Sequence, residues 1–206
     1  MKKSAEEEIA LLAPPRMSDK LVREFQSASD ALEAGRAGEA LKIARKMYKL
    51  IPTSTFLNEI LAGAHYDLKH WGDAIKHYEV FIAETGLTIH HPTLMDAYRT
   101  RRKWHKIDRL WRELSASSPS QELVSLGRVV YVNSLSDRGQ PDEALKLMRQ
   151  RTKTVPKPKY YHLEEWYTLA SLEESCGNRP TAKRWFKTIL AQSPNYADVK
   201  KRLKDL

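Results

Sequence analysis

Seven histidines, a single cysteine and several adjacent carboxylates are the residues of this 206-residue chain whose types could do chemistry. A protein metal site needs three or four ligands converging on one point, and helical ligand sets betray themselves by compact spacings such as HExxH. His65, His70 and His77 fall in one stretch and His90 and His91 in the next, without such a motif. His65 belongs to a helix and His70 to the turn after it, which gives the two rings no reason to face each other. They read as packing or surface histidines, and neither a metal nor any other cofactor is expected. Cys176 stands just before a turn glycine with no sequence signature of a nucleophile, and one thiol can make neither an internal disulfide nor a cysteine-based zinc site. Glu164–Glu165 and Glu173–Glu174 are sequence neighbours on helices, so their side chains point to different faces and are poorly placed as acid–base pairs. The 8 glycines include no phosphate-binding cluster. No catalytic residue is assigned, and the chain is expected not to be an enzyme.

The elements around these residues follow a repeat. The segments GEALKIARKMYKLIP, GDAIKHYEVFIAETG, KIDRLWRELSASSP, PDEALKLMRQRTKTVP and RPTAKRWFKTILAQSP superimpose. Each opens its apolar face at Ala40, Ala74, Ile107, Ala144 or Ala182, spaced by 34, 33, 37 and 38 residues. Four positions on stand Ala44, Tyr78, Trp111, Met148 and Phe186, and seven positions on Met47, Phe81, Leu114, Arg151 and Ile189. Offsets of four and seven share one helical face. The small residue admits a neighbouring helix closely, and the large one fills the space beside it. Twelve positions on come Pro52, Gly86, Pro119, Pro156 and Pro194, where a helix must stop. Twelve positions before, on a preceding helix, lie Ala28, Ala62, Met95, Val132 and Ala170. The turns GRAG, SDRGQPD and CGNRP carry the residues that turns require.

In this pattern the chain resembles the tetratricopeptide repeat family over residues 20–195. The fifth unit matches best, through Trp166, Leu169, Ala170, Gly177, Ala182, Phe186 and Pro194. The third departs most, with Ile107 in place of the small residue and no turn glycine. The fold class implied is all-α, a right-handed α-α superhelix (solenoid) of stacked helix-turn-helix repeats with a C-terminal capping helix. Its units run roughly 19–52, 54–86, 90–119, 122–156 and 161–194. Residues 1–18 are expected to be a flexible tail. Residues 196–206 are expected to cap the last hairpin with Tyr196, Val199 and Leu203, and to turn Lys200, Lys201, Arg202 and Lys204 to water. A single hairpin cannot bury its own apolar face, so stacking is what makes the core.

The resemblance implies a concave groove built from the first helix of each pair. It points Ser29, Glu33, Glu59, Gly63, Tyr66, Asp96, Arg99, Asn133, Tyr167, Ser171 and Glu174 into that groove. Family members that clamp a peptide's terminal carboxylate use lysines and asparagines at places occupied here by Phe25, Glu59, Pro92, Val129 and Tyr167. Asn133 alone fits, so that clamp is not expected.

The net charge is +9, which favours an acidic partner. Residues 99–112 hold Arg99, Arg101, Arg102, Lys103, Lys106, Arg109 and Arg112 against Asp108, and residues 146–159 hold Lys153, Lys157 and Lys159 among six cations with no acid. Such runs are solvated helix faces or anion-binding ridges. Trp104, Tyr160 and Tyr161 stand close enough in sequence to stack on bases if exposed. The reading is a non-catalytic protein–protein interaction scaffold that holds a peptide or helix, with a nucleic-acid binder using tracts 99–112 and 146–159 as the alternative. The run Ile9–Ala13 is too short for a secretory core and is stopped by Pro14 and Pro15. No apolar run approaches the ~18 residues of a membrane span. With one thiol, a cytoplasmic protein is expected.

Overall fold

The computed structural model describes residues 4–117 and 120–206. Pro119, one of the expected helix terminators, lies outside the described residues. Twelve α-helices and no strand occur among the described residues. They are α1 (Ala5–Leu12), α2 (Ser18–Glu33), α3 (Ala37–Tyr48), α4 (Thr55–Asp67), α5 (Trp71–Thr85), α6 (His91–Thr100), α7 (Trp104–Ser117), α8 (Gln121–Asp137), α9 (Pro141–Arg151), α10 (Tyr160–Ser175), α11 (Arg179–Gln192) and α12 (Val199–Asp205). The chain divides into two compact units, Met1–Lys103 and Trp104–Leu206, so the break falls inside the third expected repeat.

The repeat positions are the core positions. Ala40, Ala74, Ile107, Ala144 and Ala182 are fully buried, as are Ala28, Ala62, Met95, Val132 and Ala170 on the preceding helices. Met47, Leu114 and Ile189 are also sealed, while Arg151, the one charged residue in that series, is exposed. Burying each large apolar side chain contributes roughly 1.5–3 kcal/mol before entropy is counted. In the first unit Leu21 and Phe25 of α2, Met47 of α3, and Leu57 and Leu61 of α4 form one cluster. In the second, Leu169 and Leu172 of α10 meet Val132 and Met148. The opposite side of α10 places Trp166 and Ala170 against Phe186 and Ile189.

Each hairpin turns in the same way. Gly35, Lys69, Arg102, Gly139 and Gly177 have φ of 72°, 60°, 53°, 79° and 81°. The N–H of the following residue then reaches the carbonyl five residues back: Arg36 to Ala31, His70 to His65, Lys103 to Tyr98, Gln140 to Leu135 and Asn178 to Glu173, at 2.8–3.0 Å. This is a six-to-one helix-ending bond, which satisfies an orphan carbonyl of the helix it closes. The third repeat therefore keeps the turn without the glycine, with Arg102 in the left-handed region. A β-carbon there costs about 1 kcal/mol, part of which glycine gives back through its freer unfolded chain. Lys69→Gly is expected to stabilise the protein by about 0.5 kcal/mol, read as a higher urea midpoint at unchanged slope. A lower midpoint would show that the lysine carries a contact worth more than the strain.

Two terminal expectations need correction. Residues 5–12 are helical, although residues 1–18 were expected to be a loose tail. Ser4 and Glu7 close a capping box, Ile9 is fully buried in the first cluster, and Glu8 accepts from Ser54 Oγ at 2.7 Å and from the Phe56 N–H at 3.2 Å. Glu8 thus caps the start of α4. At the other end, Val199 of α12 is fully buried beside Phe186, but Arg202 does not face water. Its guanidinium lies 4.7 Å from the Phe186 ring centroid and 5.4 Å from that of Tyr167.

Candidate functional site

Two first helices of the first unit, α4 and α6, carry the expected groove residues Glu59, Tyr66, Asp96 and Arg99. Their side chains reach one another. The Tyr66 hydroxyl donates to Asp96 Oδ2 at 2.8 Å, and Arg99 Nη1 donates to Asp96 Oδ1 at 2.8 Å. Burial pushes the Tyr66 hydroxyl well above its ordinary pKa, and the Asp96 carboxylate adds to the shift. Glu59 Oε1 lies 2.5 Å from His90 Nε2, and the His90 ring packs on Tyr78 and Phe81. These residues tie consecutive first helices together.

Between α2 and α4 a cleft of about 450 Å³ remains. Phe25 and Leu32 of α2, Phe56 and Ile60 of α4, and Tyr78 of α5 give it an apolar lining. Ser29, Glu33, Glu59 and His90 supply the polar groups, and no lysine or arginine lines it. Gly63 keeps it open: a Cβ there would stand 2.9 Å from Leu32 Cδ2. Ser29, Glu33, Glu59 and Gly63 were legible from the repeat, and Tyr66, Asp96 and Arg99 lie outside the lining. Phe56 and His90 were not assigned to the cleft from sequence, because their placement depends on how neighbouring hairpins pack.

In the second unit, Tyr167, Ser171 and Glu174 of α10 are covered by the C-terminal segment. The Tyr167 hydroxyl donates to Asp198 Oδ1 at 2.7 Å, Arg202 Nη1 to Ser171 Oγ at 2.6 Å, and Arg202 Nε to Glu174 Oε2 at 2.9 Å. Asn133, half-buried on α8, makes no side-chain hydrogen bond among the described residues. The paired glutamates do part to different faces. Glu164 accepts from Tyr196, buried Glu165 from Arg128 and Ser125, buried Glu173 from Arg149, and Glu174 from Arg202.

The histidines depart from expectation. His65 and His70 do face each other, with their Nδ1 atoms 3.2 Å apart, because the hairpin turn brings residue 70 back to the carbonyl of residue 65. His77 stacks on His65 at 5.8 Å. Among the described residues no group of histidine, cysteine or carboxylate side chains could hold a metal ion.

The basic tracts are unequal. Arg101, Arg102 and Lys103 are exposed at the last turn of the first unit. Lys106 and Arg109 belong to the second unit, where Arg109 pairs with Glu113 at 3.5 Å. Trp104 is half-buried beside the Arg138 guanidinium, at 5.5 Å. Lys153, Lys157 and Lys159 are exposed on the α9–α10 connector. Tyr160 is exposed, whereas Tyr161 is buried and does not present a stacking face to solvent.

Paired helices with one repeated turn, small and large core residues in register and a cleft between first helices define a tetratricopeptide-like helical repeat protein. Among solved structures the chain is similar to TTC0263, a thermophilic TPR protein of Thermus thermophilus, with 17% identity, a TM-score of 0.65, and coverage of 89% of this chain and 96% of that one. That likeness is one of fold. No family model matches the sequence, and no curated protein matches it.

Proposed function

We propose that the protein is a non-catalytic interaction scaffold whose first unit holds a short peptide segment of a partner protein in the α2–α4 cleft. The carrying observation is the composition of that cleft: an apolar lining beside Glu33 and Glu59, with no lysine or arginine. The chain as a whole is strongly positive, yet this lining is acidic. An acidic partner segment would be repelled here, so the cleft selects a peptide with a lysine or arginine flanked by apolar side chains. The tetratricopeptide-like fold supports the scaffold reading. No described helix is long and apolar enough to cross a membrane, and the lone Cys176 is a free thiol, which suits a reducing cytoplasm.

A displayed random-peptide library selected on the whole protein tests this. Enriched peptides should carry a basic residue between apolar ones. Their affinity should fall at least tenfold on Glu33→Lys, an exposed position where unfolding is not at issue, and on Ser29→Trp, which fills the cleft. Peptides that bind both variants as tightly as wild type would remove the cleft as the site.

A further inference from the structure

The second unit carries a recess of the opposite charge. We infer that the α9–α10 connector and α11 form a binding site for single-stranded nucleic acid, with Lys153 and Arg184 holding backbone phosphate and Trp185 flanking a base.

The sequence on both sides of the recess is free of acid. Residues 144–163 and 175–197 contain no aspartate or glutamate, and both stretches are rich in lysine and arginine. Folding brings the two stretches together. Thr152, Lys153 and Thr154 of the connector and Arg184, Trp185 and Thr188 of α11 line one recess of about 620 Å³. The Trp166 indole N–H donates to the Lys153 carbonyl at 3.0 Å, which fixes the connector against α10 while leaving the Lys153 ammonium exposed. Lys153 and Arg184 have no ion-pair partner among the described residues, unlike Arg149, which is taken up by Glu173.

The second, independent observation is Thr152. It is only 7% exposed, it lines the recess, and its hydroxyl has no hydrogen-bond partner. A buried hydroxyl without a partner is costly unless a ligand supplies one. The Oγ1 atom is sealed from solvent, so a phosphate oxygen would pair with it once the side chain turns toward the recess.

The form of the surface selects a chain over a single ion. A neighbouring recess along α11, lined by Pro180, Lys183, Arg184, Lys187, Thr188 and Ala191, shares Arg184 and Thr188 with the first. The strip from 180 to 191 therefore runs about 16 Å along the helix, with cations at 183, 184 and 187. A linear polyanion matches that layout. The half-buried Trp185 between the cations adds an aromatic flank, and cations interleaved with aromatics are how single strands are bound without sequence preference. A duplex would not present an unstacked base to the aromatic.

The test is fluorescence anisotropy of a labelled twelve-nucleotide oligouridine with the full chain at 50 and 200 mM salt. A duplex of the same length and vesicles containing phosphatidylserine are run beside it. The expected result is binding that weakens steeply with salt and falls at least tenfold in Lys153→Glu/Arg184→Glu. In Lys42→Glu/Lys46→Glu, which makes the same change in net charge on exposed residues of α3, the change should be less than twofold. Lys183→Glu/Lys187→Glu, both exposed, provides an independent loss should the first pair prove unstable by thermal melting. Equal losses in the α3 variant, binding of duplex or vesicles in preference to the single strand, or no binding at 50 mM salt would each overturn the assignment.

Discussion

Glu165→Ala should lower the stability of the second unit by about 3–5 kcal/mol, read as a large drop in urea midpoint. Glu165 on α10 is 5% exposed and accepts from Arg128 and Ser125 of α8, which are 7% and 1% exposed. Burial pulls the Arg128 guanidinium below its ordinary pKa, and Glu165 is the counter-charge that opposes this. Removing the carboxylate strands a buried cation between two first helices and leaves the Ser125 hydroxyl without its acceptor. The effect exceeds that of an ordinary cavity because the remaining charge has no route to water. Arg128→Met/Glu165→Met should recover most of the loss, since a buried ion pair replaced by packed apolar groups is often neutral. A single variant as stable as wild type would mean that Arg128 finds solvent when its partner is gone.

The helical core was legible because it rests on local spacing. Ala40, Ala74, Ile107, Ala144 and Ala182 need only a period of 3.6 to be placed on one face, and all five are sealed. The side-chain ties were illegible because they join residues far apart in sequence, 24 in Arg149 with Glu173, 30 in Tyr66 with Asp96 and 37 in Arg128 with Glu165. Such pairs depend on how one hairpin rotates against the next, which no single-helix pattern records. Arg202 reads as a solvated lysine-run member until Phe186 and Tyr167 are seen beneath it. An eight-residue helix such as α1 is marginal alone. Its helicity rests on Ile9 entering the first cluster and Glu8 capping α4. The acidic cleft was half legible: Glu33 and Glu59 were placed in the groove, but the missing basic residues became visible only when the lining was assembled. The α11 cations Lys183, Arg184 and Lys187 were not singled out in the sequence, and the recess that Arg184 shares with Lys153 depends on how the connector packs on α11.

Acidification from pH 7 should destabilise the first unit through His65 and His77. His77 is 8% exposed and His65 2% exposed. Burial is the main cause that lowers both, with Asp73 opposing it and Arg45 adding to it in each case. His77 is brought down to about 4, with His65 and Lys76 contributing repulsion, while His70 does the same to His65. The His77 Nδ1 lies 2.7 Å from Asn58 Oδ1 and the Tyr48 ring stands edge-on at 5.5 Å, so a neutral ring is already satisfied. Between the unfolded value near 6.5 and the folded value, the unfolded chain binds a proton that the folded chain refuses. Stability is therefore full above about pH 6.5 and falls as the pH drops toward 4. A depression of this size corresponds to about 3 kcal/mol across the window. His77→Gln keeps a donor for Asn58 and removes the titrating ring. Its urea midpoint should fall less steeply than that of wild type between pH 6.5 and 4.5, with the residual slope coming from His65. Parallel curves for the two proteins would show that His77 takes up its proton without leaving the fold.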